Sequence, residues 1–133
     1  MTSRPGFTAV PPAAAMVKHA LRWVLAMAML AIAGCDIGCD NQIVSSVASP
    51  SGTLHAVAFS RDCGATTGFN TQVSIVHGNA APSSGGNILI LDGTVPLELR
   101  WASESELRIT GLGSARVFKA ESSIGGVSAE YGK

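Results

Sequence analysis

The sequence predicts an all-β domain: an antiparallel meander of about six to eight short strands, closed as one curved sheet or a small sandwich. Three observations predict it. Past residue 42 no segment sustains the 3.6-residue apolar period of a helix, whereas short runs alternate apolar and polar side chains. Those runs are rich in β-branched residues. Between them Gly, Pro, Asn, Asp and Ser cluster in the manner of turns.

The elements follow in order. Residues 43–48, Ile-Val-Ser-Ser-Val-Ala, read as a first strand. Ser49-Pro50-Ser51-Gly52 then places Pro at the second and Gly at the fourth position of a turn. Residues 53–59 alternate, with Leu54, Ala56 and Ala58 on one face and His55, Val57 and Phe59 on the other, so the two runs should pair as a hairpin. Residues 60–70 form a polar loop in which Gly64 and Gly68 can take positive φ. Alternation resumes over 71–77, with Val73 and Ile75 inward. A Gly, Pro and Ser cluster at 78–86 reads as another loop, before a nearly all-apolar strand at 87–91 and the turn pair Asp92-Gly93. Val95, Leu97, Leu99 and Trp101 then share one face, and Pro96 restricts that strand to a start or an edge. Residues 103–106 turn, 107–110 extend, 111–114 turn again, 115–119 alternate and 126–131 supply a last strand. Trp101 and Phe118 are expected in the core or at its rim.

The segment before this domain has a different character. Residues 23–34 are twelve small or apolar residues behind Lys18, His19 and Arg22. As a helix they would rise about 18 Å against a hydrocarbon core of about 30 Å, too short to span but the right length for a signal peptide. Ile32-Ala33-Gly34-Cys35 closes the run and resembles the lipobox of bacterial lipoprotein precursors. The resemblance implies cleavage between Gly34 and Cys35, and a Cys35 carrying diacylglycerol and palmitate as the first residue of a mature, membrane-tethered chain. Two or more acyl chains hold firmly where one holds marginally. An uncleaved membrane helix with Cys35 as an ordinary thiol is the alternative. Residues 1–15 read as disordered leader with three prolines and no acidic residue, and Met16 is an alternative start. The expected organisation is a signal segment over 1–34, a lipidated tether over 35–42 and one small β domain over 43–133. Asp36 resembles the residue that retains lipoproteins in the inner membrane of enteric Gram-negative bacteria, which favours that membrane. Otherwise the expected location is a cell membrane, with the domain facing the periplasm or exterior.

Cleavage leaves 99 residues, enough for one domain. Arg4, Lys18 and Arg22 leave with the leader, so six basic residues face nine acidic ones, a net charge of −3. Such a charge argues against a nucleic-acid surface. With Cys35 assigned to lipid, Cys39 and Cys63 remain as an even pair in an oxidising compartment, where a disulfide is expected. Cys39, Cys63, His55 and His77 lack the close pair spacing of a zinc site, so no metal and no cofactor are expected.

The segment Asp62-Cys63-Gly64-Ala65-Thr66-Thr67, with Ser-Pro-Ser-Gly before it and Gly86-Asn87-Ile88-Leu89-Ile90 after it, resembles a family of small uncharacterised bacterial proteins, many with lipoprotein leaders. That resemblance spans most of residues 39–110. It implies a domain and a location, and no catalytic residue.

Three functions fit these residues. The first is a non-catalytic, membrane-tethered binding or structural module of the cell envelope, meeting an envelope protein through the 60–70 and 78–86 loops, with Arg61, Asp62, Thr66 and Thr67 as contacts. The second is a small enzyme with Cys63 as nucleophile and His55 or His77 as base. No third orienting residue is evident for it, and no catalytic residue is assigned. The third is an inhibitor or immunity-type lipoprotein that uses the 60–70 loop as a plug. Glu104 and Glu106 read as a solvated turn rather than a glycosidase pair.

Overall fold

The computed structural model of the chain describes residues 38–64 and 67–133, together with Gly6. The expected signal helix lies outside the described residues. Among those residues every regular element is a strand: β1 (Asp40–Ala48), β2 (Leu54–Asp62), β3 (Asn70–His77), β4 (Leu89–Asp92), β5 (Glu98–Ser103), β6 (Glu106–Thr110), β7 (Val117–Ala120), β8 (Ser123–Ile124) and β9 (Val127–Tyr131). The fold is all-β, and the strands form a sandwich of two sheets. One has the order β1-β2-β3-β4-β7 and the other β5-β6-β9-β8. The extra strand beyond the expected eight is β8, only two residues long.

The meander holds for the first four strands and then breaks. After β4 the chain changes sheet to form the β5–β6 hairpin, returns to lay β7 beside β4, and changes sheet again for β8 and β9. Consequently β9 runs parallel to β6, Glu106 facing Ser128 and Ile109 facing Tyr131. A parallel pair needs a long crossover, and β7 and β8 with their loops supply it.

The first hairpin shows how the sequence makes these elements. Gly52 N–H donates to Ser49 O at 2.8 Å, with Pro50 and Ser51 at the turn centre and Gly52 at φ 75°. Glycine accepts that φ without steric cost. Ser49 also closes the turn, its N–H donating to Leu54 O and its Oγ accepting from Leu54 N–H. β1 begins at Asp40, within the stretch read as tether, because pairing with β2 continues to Asp40–Asp62. A bulge between Ile43 and Ser45 inserts Val44 into this ladder.

The core lies between the sheets. Ala56, Ala58, Val73, Leu89 and Leu91 of the larger sheet meet Leu99, Leu107, Ile109 and Val127 of the smaller one, with Ile88 buried among them. Val95, Leu97 and Trp101 pack against that cluster, as the alternation from Val95 to Trp101 predicts. Alanines at 56 and 58 leave room for the opposing side chains in a sandwich about 10 Å thick. Phe118 departs from expectation. It is exposed, with the Arg116 guanidinium 5.2 Å above its ring, on the edge strand β7, where the register shift between Lys119 and Val117 leaves Phe118 without a partner in β4.

The outer face of the larger sheet is covered too. Val57 and Phe59 point away from the smaller sheet yet are fully buried. Residues 78–86 cross this face as a strap, which is held by side chains that the strands present to it. Asn41 Nδ2 donates to Pro82 O at 2.8 Å and Ser84 O at 3.1 Å, Gly86 N–H donates to Gln72 Oε1, and Lys119 Nζ donates to Gly86 O at 3.3 Å. Just beyond, Asn87 behaves as a strand partner for Ile75, accepting from its N–H and donating to its carbonyl, both at 2.8 Å. Gly86 is required by this approach: a Cβ there would stand 2.5 Å from Leu89 O and 3.0 Å from Gln72 Cβ.

Candidate functional site

Two places in the fold collect the features singled out from the sequence, and they lie at opposite ends of the larger sheet. At one end Cys39 and Cys63 form a disulfide, their Cα atoms 4.1 Å apart. The pair continues the β1–β2 register one step past Asp40–Asp62, so the bond crosses directly between the two strands. Next to it on the outer face, Arg61 Nη1 donates to Asn41 Oδ1 at 2.7 Å, and the same asparagine holds the strap. Arg61 is therefore a structural partner of β1 and the strap.

The turn after β2 is built from its own polar groups. Asp62 Oδ1 accepts from Gly64 N–H at 2.9 Å, and Thr67 donates to Gly64 O through both its N–H and its hydroxyl, each at 3.1 Å. Asp62 and Thr67 thus shape the turn. Thr66 lies outside the described residues. Gly64 has φ 104°, as read from the sequence, whereas Gly68 has no positive φ. Phe69 follows the turn with 61% of its surface exposed, and its carbonyl accepts from Gly93 N–H at 3.0 Å.

At the far end the sheets part to leave a small cleft. Its volume is about 260 Å³, lined by Leu54, Ile75, His77, Asn87, Ile124, Gly125 and Val127. Asn87 is committed to Ile75, which leaves His77 as the cleft's one titratable side chain. His77 pairs with Leu54 in register and lies on the core-facing side; His55 lies on the outer side, its Nδ1 buried with no hydrogen-bond partner among the described residues.

The structure does not bring Cys63 together with either histidine. His55 stands eight residues back along the same strand, about 26 Å at the rise of a β-strand, and His77 is no nearer. The Cys63 sulfur is bonded to Cys39 rather than held as a free thiol. Glu104 accepts from the Ser51 N–H and, at 2.9 Å, from the Ser51 hydroxyl. It thereby ties the β5–β6 turn to the β1–β2 turn, and Glu106 instead stands 3.9 Å from Arg108. Among the described residues no group of three or more His, Cys, Asp and Glu is placed to hold a metal ion. Sequence reading missed the strap and its holders Asn41, Gln72 and Lys119. Their signal is weak, because single amide side chains in strands say nothing about what crosses above them.

Compared with known proteins, the chain matches no family model, no curated protein and no solved structure.

Proposed function

We propose that this chain is a bacterial lipoprotein, anchored in a cell membrane through lipid on Cys35, whose mature domain is a non-catalytic binding or structural module of the cell envelope. The observation that carries it is the spacing of Cys35 and the disulfide: the lipobox cysteine stands four residues ahead of a half-cystine that closes the first hairpin. Disulfides persist in oxidising compartments, which agrees with export. A thiol consumed by Cys39 leaves Cys63 no nucleophilic role, and this favours binding over catalysis.

The test is metabolic labelling with palmitate followed by membrane fractionation. Wild-type protein should label and sediment with membranes, and Cys35→Ala should do neither. Membrane retention of an unlabelled Cys35→Ala protein would refute the anchor. Partner capture from detergent-solubilised envelope, compared between wild type and variants of the 63–69 turn, tests the binding role.

A further inference from the structure

We propose that the disulfide end of the sandwich rests on the bilayer surface and that Phe69 enters the boundary between headgroups and acyl chains. The register of the larger sheet is the basis. Starting from the disulfide, the pair Asp40–Asp62 is followed by the rows Asn41–Arg61–Asn70–Asp92 and Gln42–Ser60–Thr71–Leu91–Val117, then Ile43–Phe59–Gln72–Ile90. Five large apolar side chains among the described residues are exposed: Ile43, Val44, Phe69, Val117 and Phe118. All five fall within these rows or beside them. The other half of the sheet, toward Ala48, His55 and His77, exposes none of this kind.

The inference rests on the lipid anchor at Cys35, which supplies the geometry. Cys39 follows Cys35 by four positions, with three residues between them, and a fully extended chain covers at most about 14 Å over that distance. The disulfide end is thus the part of the domain confined nearest the lipid, and it is also where the apolar side chains are. Phe69 is at its tip, one residue beyond the Asn70 row.

Charge does not drive the contact. Asp40 and Asp62 face each other across the first row and Asp92 stands in the next, against Arg61 and Arg116. The occupant is accordingly a zwitterionic lipid surface met by apolar groups, and anionic lipid adds nothing. Two phenylalanines alone do not hold a protein on a bilayer, but the anchor makes their insertion an intramolecular step at high effective concentration.

The experiment uses the processed, lipidated protein in phosphatidylcholine vesicles carrying brominated acyl chains. Cleavage removes Trp23, so the only native indole is Trp101, which hydrogen-bonds Val47 at the far end of β1. In the F69W variant emission should shift to the blue and be quenched by bromine, unchanged in 1 M salt, while Trp101 of the unsubstituted protein is not quenched. F69W protein that floats with the vesicles but is not quenched overturns the contact and leaves the anchor standing. Quenching lost in 1 M salt overturns the apolar mode. Unsubstituted protein that neither carries lipid nor floats overturns the anchor, and the contact with it.

Discussion

The indole Nε1 of Trp101 donates to the carbonyl of Val47 at 2.9 Å, so a side chain of the smaller sheet reaches the backbone of the larger sheet's edge strand. β1 thereby has a capped carbonyl near its end, and the two sheets are linked by a directional contact beside the apolar one. Trp101→Phe keeps the ring and removes the donor. It should cost about 1 kcal/mol, lowering Tm by about 4–8 °C in a domain of this size. Thermal unfolding followed by circular dichroism checks this, and an unchanged Tm would show the bond to be replaceable by solvent.

The Cys39–Cys63 bond closes a segment that the first hairpin also closes. In the chain-entropy account, cross-linking positions 24 residues apart contributes about 3.5 kcal/mol. Cys39→Ala with Cys63→Ala should lower the urea midpoint accordingly. Reductant should lower the wild-type midpoint by a similar amount and leave the double variant unmoved. A reductant effect on the double variant would point to some other source.

Neighbouring glycines in the strap should respond differently. At Gly86 an added Cβ meets Leu89 O at 2.5 Å and Val73 O at 3.0 Å, both backbone atoms that cannot swing aside. Gly86→Ala should therefore destabilise by about 1–3 kcal/mol. At Gly85 the nearest atom is Gln72 Oε1 at 3.4 Å, an ordinary contact. Gly85→Ala should stay within about 0.5 kcal/mol of wild type in the same urea titration.

Tyr131 should make stability depend on alkaline pH. Its hydroxyl stands 2.6 Å from Glu121 O and 3.1 Å from Ile88 O, where its one proton can be donated to either carbonyl. Burial, and then the Glu121 carboxylate, push its pKa up from 10.0 to about 12. With the folded value above the unfolded one, the stability it contributes is complete below pH 10 and is lost as pH rises through 12. Tyr131→Phe should flatten that slope while costing about 1–2 kcal/mol near neutrality. Since Tyr131 is the chain's single tyrosine, phenolate absorbance reports its titration directly, and a midpoint near 10 in the folded protein would contradict the assignment.

Local patterns predicted much of this. The alternation of Leu54, Ala56 and Ala58 against His55, Val57 and Phe59 correctly divides β2 between two faces, but it does not say what covers either of them. In fact Ala56 to Phe59 are all buried. Period two marks which side chains share a face; what lies over that face is decided by a segment some twenty residues further on. For the same reason residues 78–86, polar and rich in Gly and Pro, read as a solvent-facing contact loop. Their backbone groups instead find partners in Asn41, Gln72 and Lys119.

The amino-acid order by itself determined the all-β class, the turn at residues 49–52 and the even pair of cysteines, because each is written in residues read directly along the chain. Only the tertiary structure decided that β9 joins β6 in parallel, that the strap seals Phe59, and that Cys63 lies far from both histidines. Those outcomes depend on which surfaces remain unburied once the first hairpins have formed. That is a property of the assembled sheets, and no local stretch of residues carries it.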